Sequence, residues 1–347
     1  MDLDLFELED GQQELYEHFR LVADKGQEPV RLDKYIATHQ EGTSRHRVQL
    51  AIKQDYVYVN DIIQKANYIV RPGDVIRFMM PYERRGVEIL PEDIPLDIVY
   101  EDDDVIVIDK PAGMVVHPGH GNYSGTLLNA LAFYLGMDKA PDPEDDRLGF
   151  LVHRIDKDTS GLLVIAKNLE AHKGLADQFY VHSIDRVYIA VVWGNIQEDD
   201  GTIDGTIGRD PNDRLRYKVL SDPEQGKRAV THYRVLERFG FITVVECRLE
   251  TGRTHQIRVH MSSIGHPLFN DERYGGAEIR QGTIYAKYRQ FIANCFNTCP
   301  RQALHAKTLG FTHPRTGKRV FFESPLPADM SELIDRWRRY TATLQGD

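Results

Sequence analysis

Apolar residues recur along this chain at two spacings, one helical and one alternating. Between Arg31 and Lys53 they fall every three to four positions: Leu32, Tyr35 and Ile36, then Val48, Leu50, Ala51 and Ile52, with Arg45, Arg47 and Lys53 on the opposite side. This spacing predicts a short helix over 31–37 and a second from Ser44, each with one buried stripe. Tyr56–Ile63 and Gly73–Phe78 then read as short strands around turns. These elements make a small α/β module over 17–80, with its core at 31–78. Ahead of it, residues 1–16 are acidic and aperiodic and read as a mobile tail. Behind it, residues 81–95 hold three prolines and six charges without periodicity and read as a linker.

From residue 96 to 345 the pattern is mixed. Val105–Ile108 and Leu162–Ala166 are short apolar runs that predict buried strands, and Asn168 reads as the cap of a helix over 169–182. In Arg186–Gly194, period-two alternation puts Tyr188, Ala190 and Val192 on one face and Val187, Ile189, Val191 and Trp193 on the other. Residues 201–220 are rich in Gly and Asp and read as an exposed loop. Two paired strands follow, Ala229–Arg238 and Phe241–Leu249. Thr254 then reads as the cap of a helix with Ile257, Met261 and Ile264 buried, ended by Gly265 and Pro267. A helix over Tyr285–Asn297, a hairpin of Ala303–Phe311 with Arg319–Glu323, and a closing helix over 330–340 complete the chain. Strands pairing with their neighbours, with helices between them, predict an α+β fold with a mainly antiparallel sheet.

At 347 residues and 41% hydrophobic content, the chain can bury two cores. Three unevenly spaced cysteines argue against a disulfide framework and for a reducing compartment. The acidic start does not resemble a secretory signal, and no apolar run approaches the roughly 18 residues of a membrane helix. A cytoplasmic protein with no membrane partner is expected. The net charge of −10 argues against a nucleic-acid partner only until it is divided. Residues 1–30 carry −7 and 86–110 carry −8, whereas 31–85 carry +4, so the small module has a basic field of its own.

The densest polar knot lies in Gly149–Asn168, where His153, Arg154, Asp156 and Asp158 stand on the connection into an apolar strand. A loop held between apolar segments is a common place for catalytic groups. Arg258, on a predicted helix one turn from His255, is presented by a rigid element. His117 and His120 have no matching cluster elsewhere, and Cys295 and Cys299 read as ordinary thiols, so no metal is expected. The glycines near residue 120 lack the spacing of a dinucleotide fingerprint or P-loop, so no nucleotide cofactor is expected.

Residues 31–78, with Arg31, Leu32, Asp33, Ser44, Arg45, Val57, Val59, Asn60, Gly73 and Asp74, resemble the small RNA-binding module named for the fourth protein of the small ribosomal subunit. Five further segments occur in order: Lys110-Pro-Ala-Gly, His153-Arg-Ile-Asp-Lys-Asp-Thr-Ser-Gly-Leu, Tyr188-Ile-Ala-Val-Val-Trp-Gly, Thr251-Gly-Arg-Thr-His-Gln-Ile-Arg-Val-His and Ala303-Leu-His-Ala. Together they resemble the RluA-type pseudouridine synthases, and with the module the RluD-like branch acting on large-subunit ribosomal RNA. The resemblance implies isomerisation of uridine to pseudouridine in a central RNA-binding cleft, without a cofactor. It assigns Asp156 as the catalytic carboxylate, acting by attack on the sugar or by helping to remove the 2′ proton. Arg258 becomes its ion-pair partner, Tyr188 the stacking and proton-transfer group, and Arg154 the residue filling the gap of a flipped nucleotide. His153, Arg31, Lys34, Arg45, Arg47 and Lys53 are further RNA contacts. Ribosomal RNA and pre-ribosomal particles are the favoured partners, with transfer RNA left open. Two positions depart from the family pattern, Ile155 for Leu and Asn270 for Gly, and Asn tolerates the positive φ such a turn requires. A non-catalytic RNA-binding or ribosome-assembly factor on the same fold, and a glycosidase using Asp156 with Asp158, are the competing readings.

Overall fold

The computed structural model describes residues 16–40, 45–80, 89–118, 122–137, 151–210, 213–282 and 285–345. The expected tail up to residue 15, Ser44, the first half of the expected linker, His120 and the Gly149-Phe150 lead-in lie outside them. The chain divides between Gly86 and Val87 into two compact units.

In the first unit, β1 (Tyr16–Val22), β2 (Val30–Arg31), α1 (Leu32–His39), α2 (Arg45–Lys53), β3 (Val57–Val59), β4 (Ile62–Ile63), β5 (Ile69–Val70) and β6 (Val75–Met80) follow in order. The two helices form as their apolar spacing predicts, with Leu32, Tyr35, Ile36, Val48, Ala51 and Ile52 buried, although Leu50 is exposed. No side chain caps α1. Its first free amides are satisfied by tertiary contacts instead, Leu32 N donating to the Tyr68 carbonyl at 2.8 Å. Asp33 ties the helices together, accepting from Arg31, Arg45 and Gln49 while fully buried. Burial opposes its charge, but these donors outweigh it and hold the carboxyl well below the usual range. Strand β1, which the sequence reading did not contain, pairs with β6, and a bulge between Glu17 and Phe19 breaks the alternation that would have revealed it.

The second unit contains β7 (Ile98–Glu101), β8 (Val105–Lys110), α3 (Leu127–Tyr134), β9 (Ser160–Ala166), α4 (Leu169–Tyr180), β10 (Asp185–Trp193), β11 (Asp200–Asp210), β12 (Asp213–Leu220), β13 (Lys227–Arg238), β14 (Ile242–Leu249), α5 (Gln256–Ser263), α6 (Ala286–Thr298), β15 (Leu304–Thr312), β16 (Arg319–Glu323) and α7 (Ala328–Gln345). Among the described residues, the strands form one sheet in the order β12-β11-β13-β14-β10-β15-β9-β8-β7, with β16 also on β15. Only the β15–β9 pair is parallel, so the sheet is mixed and mainly antiparallel. The residues of β10 alternate between two cores. Tyr188, Ala190 and Val192 pack with Ile257 and Met261 of α5, and Ile189, Val191 and Trp193 pack with α6 and α7 through Ile292, Leu333 and Trp337.

Three expectations are corrected. Residues 201–220 are not a loop but the hairpin β11–β12. Their glycines lie where neighbours come too close for a side chain, Tyr233 at Gly201 and Val219 at Gly205. The second half of the expected linker, 89–95, packs onto the second unit. Ile89 is buried beside α3, and Asn129 donates to the Leu90 carbonyl at 2.8 Å. Helix α5 begins not at a Thr254 cap but after His255, which adopts a left-handed conformation (φ 55°), and Ile264 is exposed rather than part of the buried stripe.

Candidate active site

The loop that precedes β9 is held by its own backbone. Asp156 O accepts from Thr159 N, Lys157 O from Gly113 N and the Lys110 ammonium, and Asp158 O from Arg301 Nη1. Lys110 is fully buried at the end of β8 and also donates to the Pro111 and Met114 carbonyls. Burial, opposed chiefly by the charge of Asp158, pulls its pKa down to about 7. After the loop, Gly161 (φ 112°) crosses β15 so tightly that a Cβ would run into the Ala306 backbone. Asp156 is therefore presented by a rigid turn.

Its side chain meets the guanidinium of Arg258 on α5, with Nη1 donating to Oδ2 at 2.9 Å. The other two edges of Arg258 are clasped by Asp271, with Nε donating at 2.7 Å and Nη2 at 2.9 Å. Arg258 and Asp271 are buried, and Asp156 is partly open. Burial works against the Arg258 charge, but the two carboxylates outweigh it and raise its pKa further. Asp271 is positioned in turn by the Arg273 and Tyr274 amides, and the Tyr274 ring lies 5.0 Å from the guanidinium carbon of Arg258.

His255 Nε2 stands 3.9 Å from Asp156 Oδ1. Burial, in spite of Asp156, lowers its pKa to about 4, so the ring is neutral at physiological pH. The Tyr274 oxygen accepts from Tyr217 N at 3.1 Å and lies 2.8 Å from His255 Nδ1. With the Tyr274 hydroxyl donating to Nδ1, the ring proton resides on Nε2 and faces Asp156. Tyr188 lies on the same side as an almost buried ring, and desolvation raises its pKa.

Asp156, Tyr188, His255 and Arg258 line a cavity of about 530 Å³, together with Val152, Phe179 and Leu304. Arg154 is at the cavity, exposed, and donates to His117 Nε2 at 2.9 Å, while His117 Nδ1 donates to Pro118 O. His153 also lines the cavity, but its Nε2 accepts from Val164 N and its ring stacks on Phe179 at 4.5 Å, which makes it a support for β9. Burial depresses its pKa to about 3, as an acceptor role requires. Asp158 does not line the cavity, which removes the carboxylate pair of the glycosidase reading.

In the first unit, Arg31 and Arg45 are half-exposed and bound to Asp33, whereas Lys34 and Lys53 are exposed; the Arg47 side chain lies outside the described residues. Asp102, Asp104 and His313 bring three potential ligand atoms within 4.8 Å of one another. Their atoms serve other bonds, His313 with Asp102 and Arg315 with both oxygens of Asp104. Cys295 and Cys299 are free and buried, with thiols pushed up to about 12. Among the described residues, no helix is long and apolar enough to cross a membrane.

Residues 104–263 match the family model of RNA pseudouridylate synthase, and residues 30–76 match that of the S4 domain. The chain is 48% identical over 323 residues to "Uncharacterized RNA pseudouridine synthase YlyB" of Bacillus subtilis, covering 92% of this chain and 98% of that one. The chain belongs to the RNA pseudouridine synthase family. It is an isomerase of the RluA type with an N-terminal S4 module. A further relative, "Ribosomal large subunit pseudouridine synthase D" of Nitrosomonas europaea, is 44% identical, covering 94% of this chain and 90% of its own. Among solved structures, Human RNA Pseudouridylate Synthase Domain Containing 1 superposes with a TM-score of 0.50 at 26% identity, covering 71% of this chain and 96% of its own.

In this synthase the expected trio of Asp156, Tyr188 and Arg258 is brought together at one cavity. Asp271, His255 and Lys110 were not selected from the sequence. Asp271 carried a signal in the Asn270 turn, which does adopt positive φ (57°). His255 carried one in its spacing from Arg258.

Proposed function

We propose that this synthase isomerises specific uridines of large-subunit ribosomal RNA, with Asp156 as the catalytic carboxylate. The observation that carries this reading is Asp156 fixed at 2.9 Å from a buried arginine on the wall of a nucleotide-sized cavity. The reaction breaks N1–C1′, turns the uracil and joins C5 to C1′; the C5 proton is lost to solvent and N1 gains one. Nothing is oxidised and no group leaves, so no cofactor takes part. Arg258 occupies Oδ2, while Oδ1 has no hydrogen-bond partner among the described residues and is the oxygen available to C1′ or to the 2′ proton. Tyr188 offers the uracil a stacking face and a hydroxyl within the desolvated wall. Arg154, exposed at the cavity, is suited to filling the gap that the extruded base leaves. Arg31, Lys34, Arg45, Arg47 and Lys53 give the small module its phosphate contacts. The relatives' names favour large-subunit ribosomal RNA and the S4 match favours RNA contact by the small module; the setting we propose is the cytoplasm, with the RNA free or in pre-ribosomal particles.

Tritium release from RNA labelled at C5 of uridine tests the reading, with large-subunit ribosomal and transfer RNA compared and Asp156→Asn as control. Release from ribosomal RNA by wild type alone is expected. Release from transfer RNA only, or undiminished release by the variant, would overturn the substrate or the role of Asp156.

A further inference from the structure

Among the described residues, Arg186 is a cation without an anion. It begins the inward face of β10, two residues before Tyr188 and hence on the same side of the strand, roughly 6.6 Å further along. Only 9% of it is exposed. Its Nε is buried without a hydrogen-bond partner, and among the described residues no carboxylate pairs with its guanidinium. The side chain nevertheless lines the catalytic cavity, with its guanidinium carbon 5.3 Å from the centre of the Phe179 ring. The neighbouring imidazole of His153 is neutral and already engaged with Val164.

The guanidinium packs closely on Gly252. A Cβ on Gly252 would come 2.9 Å from Arg186 Nη1, and Gly252 does not have the positive φ that would otherwise call for glycine. The guanidinium therefore lies directly against the Gly252 backbone. Burying a charge without a counter-charge is strongly unfavourable, and an arginine cannot shed its proton to escape. Such an arrangement is stable in function only if the missing charge arrives with a ligand.

We propose that Arg186 binds a backbone phosphate of the substrate RNA, one flanking the uridine whose base lies against Tyr188. This deepens the synthase reading above and rests on it. Uracil carbonyls and ribose hydroxyls would satisfy the hydrogen bonds of the guanidinium but leave its charge uncompensated. A phosphodiester supplies both, and two of its oxygens match the guanidinium fork. Arg186 is therefore a substrate-binding group that fixes the sugar before Asp156 acts on it.

The test begins by mapping the uridine that wild type converts in large-subunit ribosomal RNA. A stem–loop oligonucleotide containing it is then made with a neutral methylphosphonate in place of the phosphate on its 5′ or its 3′ side. With the unmodified oligonucleotide, Arg186→Met is expected to raise KM at least tenfold, and Arg186→Lys to recover part of that loss. The salt dependence of kcat/KM should become shallower by roughly one phosphate contact, a slope of about 0.7 for single-stranded RNA. One of the two methylphosphonates should impair wild type at least tenfold and leave Arg186→Met unaffected. Arg186→Met should also melt no lower than wild type, since it removes an uncompensated buried charge. An unchanged KM, equal sensitivity of both proteins to the methylphosphonates, or a large fall in melting temperature would each overturn the proposal. If wild type forms pseudouridine in no RNA, it is the functional reading that fails instead.

Discussion

Asp271 grips Arg258 by Nε and Nη2 and so turns its remaining nitrogen, Nη1, toward Asp156. The Asp156 carboxylate in the cavity wall is thereby set by a second carboxylate that does not line the cavity. Asp271→Asn should lower kcat by about 100-fold, the usual effect of small misplacements at a reacting group. It should also destabilise the fold by about 3–5 kcal/mol, because Arg258 loses its fully buried partner. Asp156→Asn should abolish turnover with a stability change within about 1 kcal/mol, since Asp271 still holds the arginine. Tritium release and urea denaturation on the two variants separate these effects; equal destabilisation by both would contradict the division of roles.

Gly161→Ala places a methyl group against the Ala306 backbone at a positive φ. Neither strand can retreat without opening the β9–β15 pair, so a loss of about 3 kcal/mol or more is expected, beyond ordinary overpacking. Denaturant titration checks this. A melting temperature equal to that of wild type would show that the crossing is looser than described.

Part of the pH dependence of stability follows from buried histidines, three of them strongly shifted. Burial chiefly depresses His153 to about 3 and His255 and His260 to about 4. Unfolded, they take up protons near pH 6.5, which the folded state refuses until lower pH. Their contribution is complete above about pH 6.5 and is lost as pH falls from there toward 4 and below. His153→Gln retains an acceptor for Val164 N without titrating. Calorimetry should show a flatter fall in melting temperature with acid for this variant than for wild type.

In the small module, Asp33 is fully buried between Arg31, Arg45 and Gln49. Asp33→Asn should cost the module about 2–4 kcal/mol, most of it from losing the shared anion. The transition of residues 17–80, followed by amide hydrogen exchange, should move while that of the second unit stays. Simultaneous weakening of both units would argue against their independence.

Much of this was readable from the residues. The two faces of β10 follow from strict alternation, and Asn168 and Gly265 mark helix ends as side-chain and backbone geometry require. The hairpin 200–220 was not readable, because its glycines mimic loop composition while answering to Tyr233 and Val219 on neighbouring strands. His255 displaced Thr254 as the residue before α5 because its ring is held in the cavity by Tyr274, a tertiary contact without local sequence signal. The motif around Asp156 pointed to the chemistry, but Lys110 and Arg301 clamp it from 47 and 143 residues away along the chain.

Strand β15 lies between β10 and β9, which are adjacent in sequence but not in the sheet. Asp156 enters from the β9 side and Tyr188 stands on β10, so within the sheet the two sides of the cavity are joined through β15, a strand near the C-terminal end of the chain. Arg301, which fixes the Asp158 carbonyl, comes immediately before that strand. A chain ending before residue 300 thus carries Asp156, Tyr188 and Arg258 without the strand that joins the two sides of their cavity.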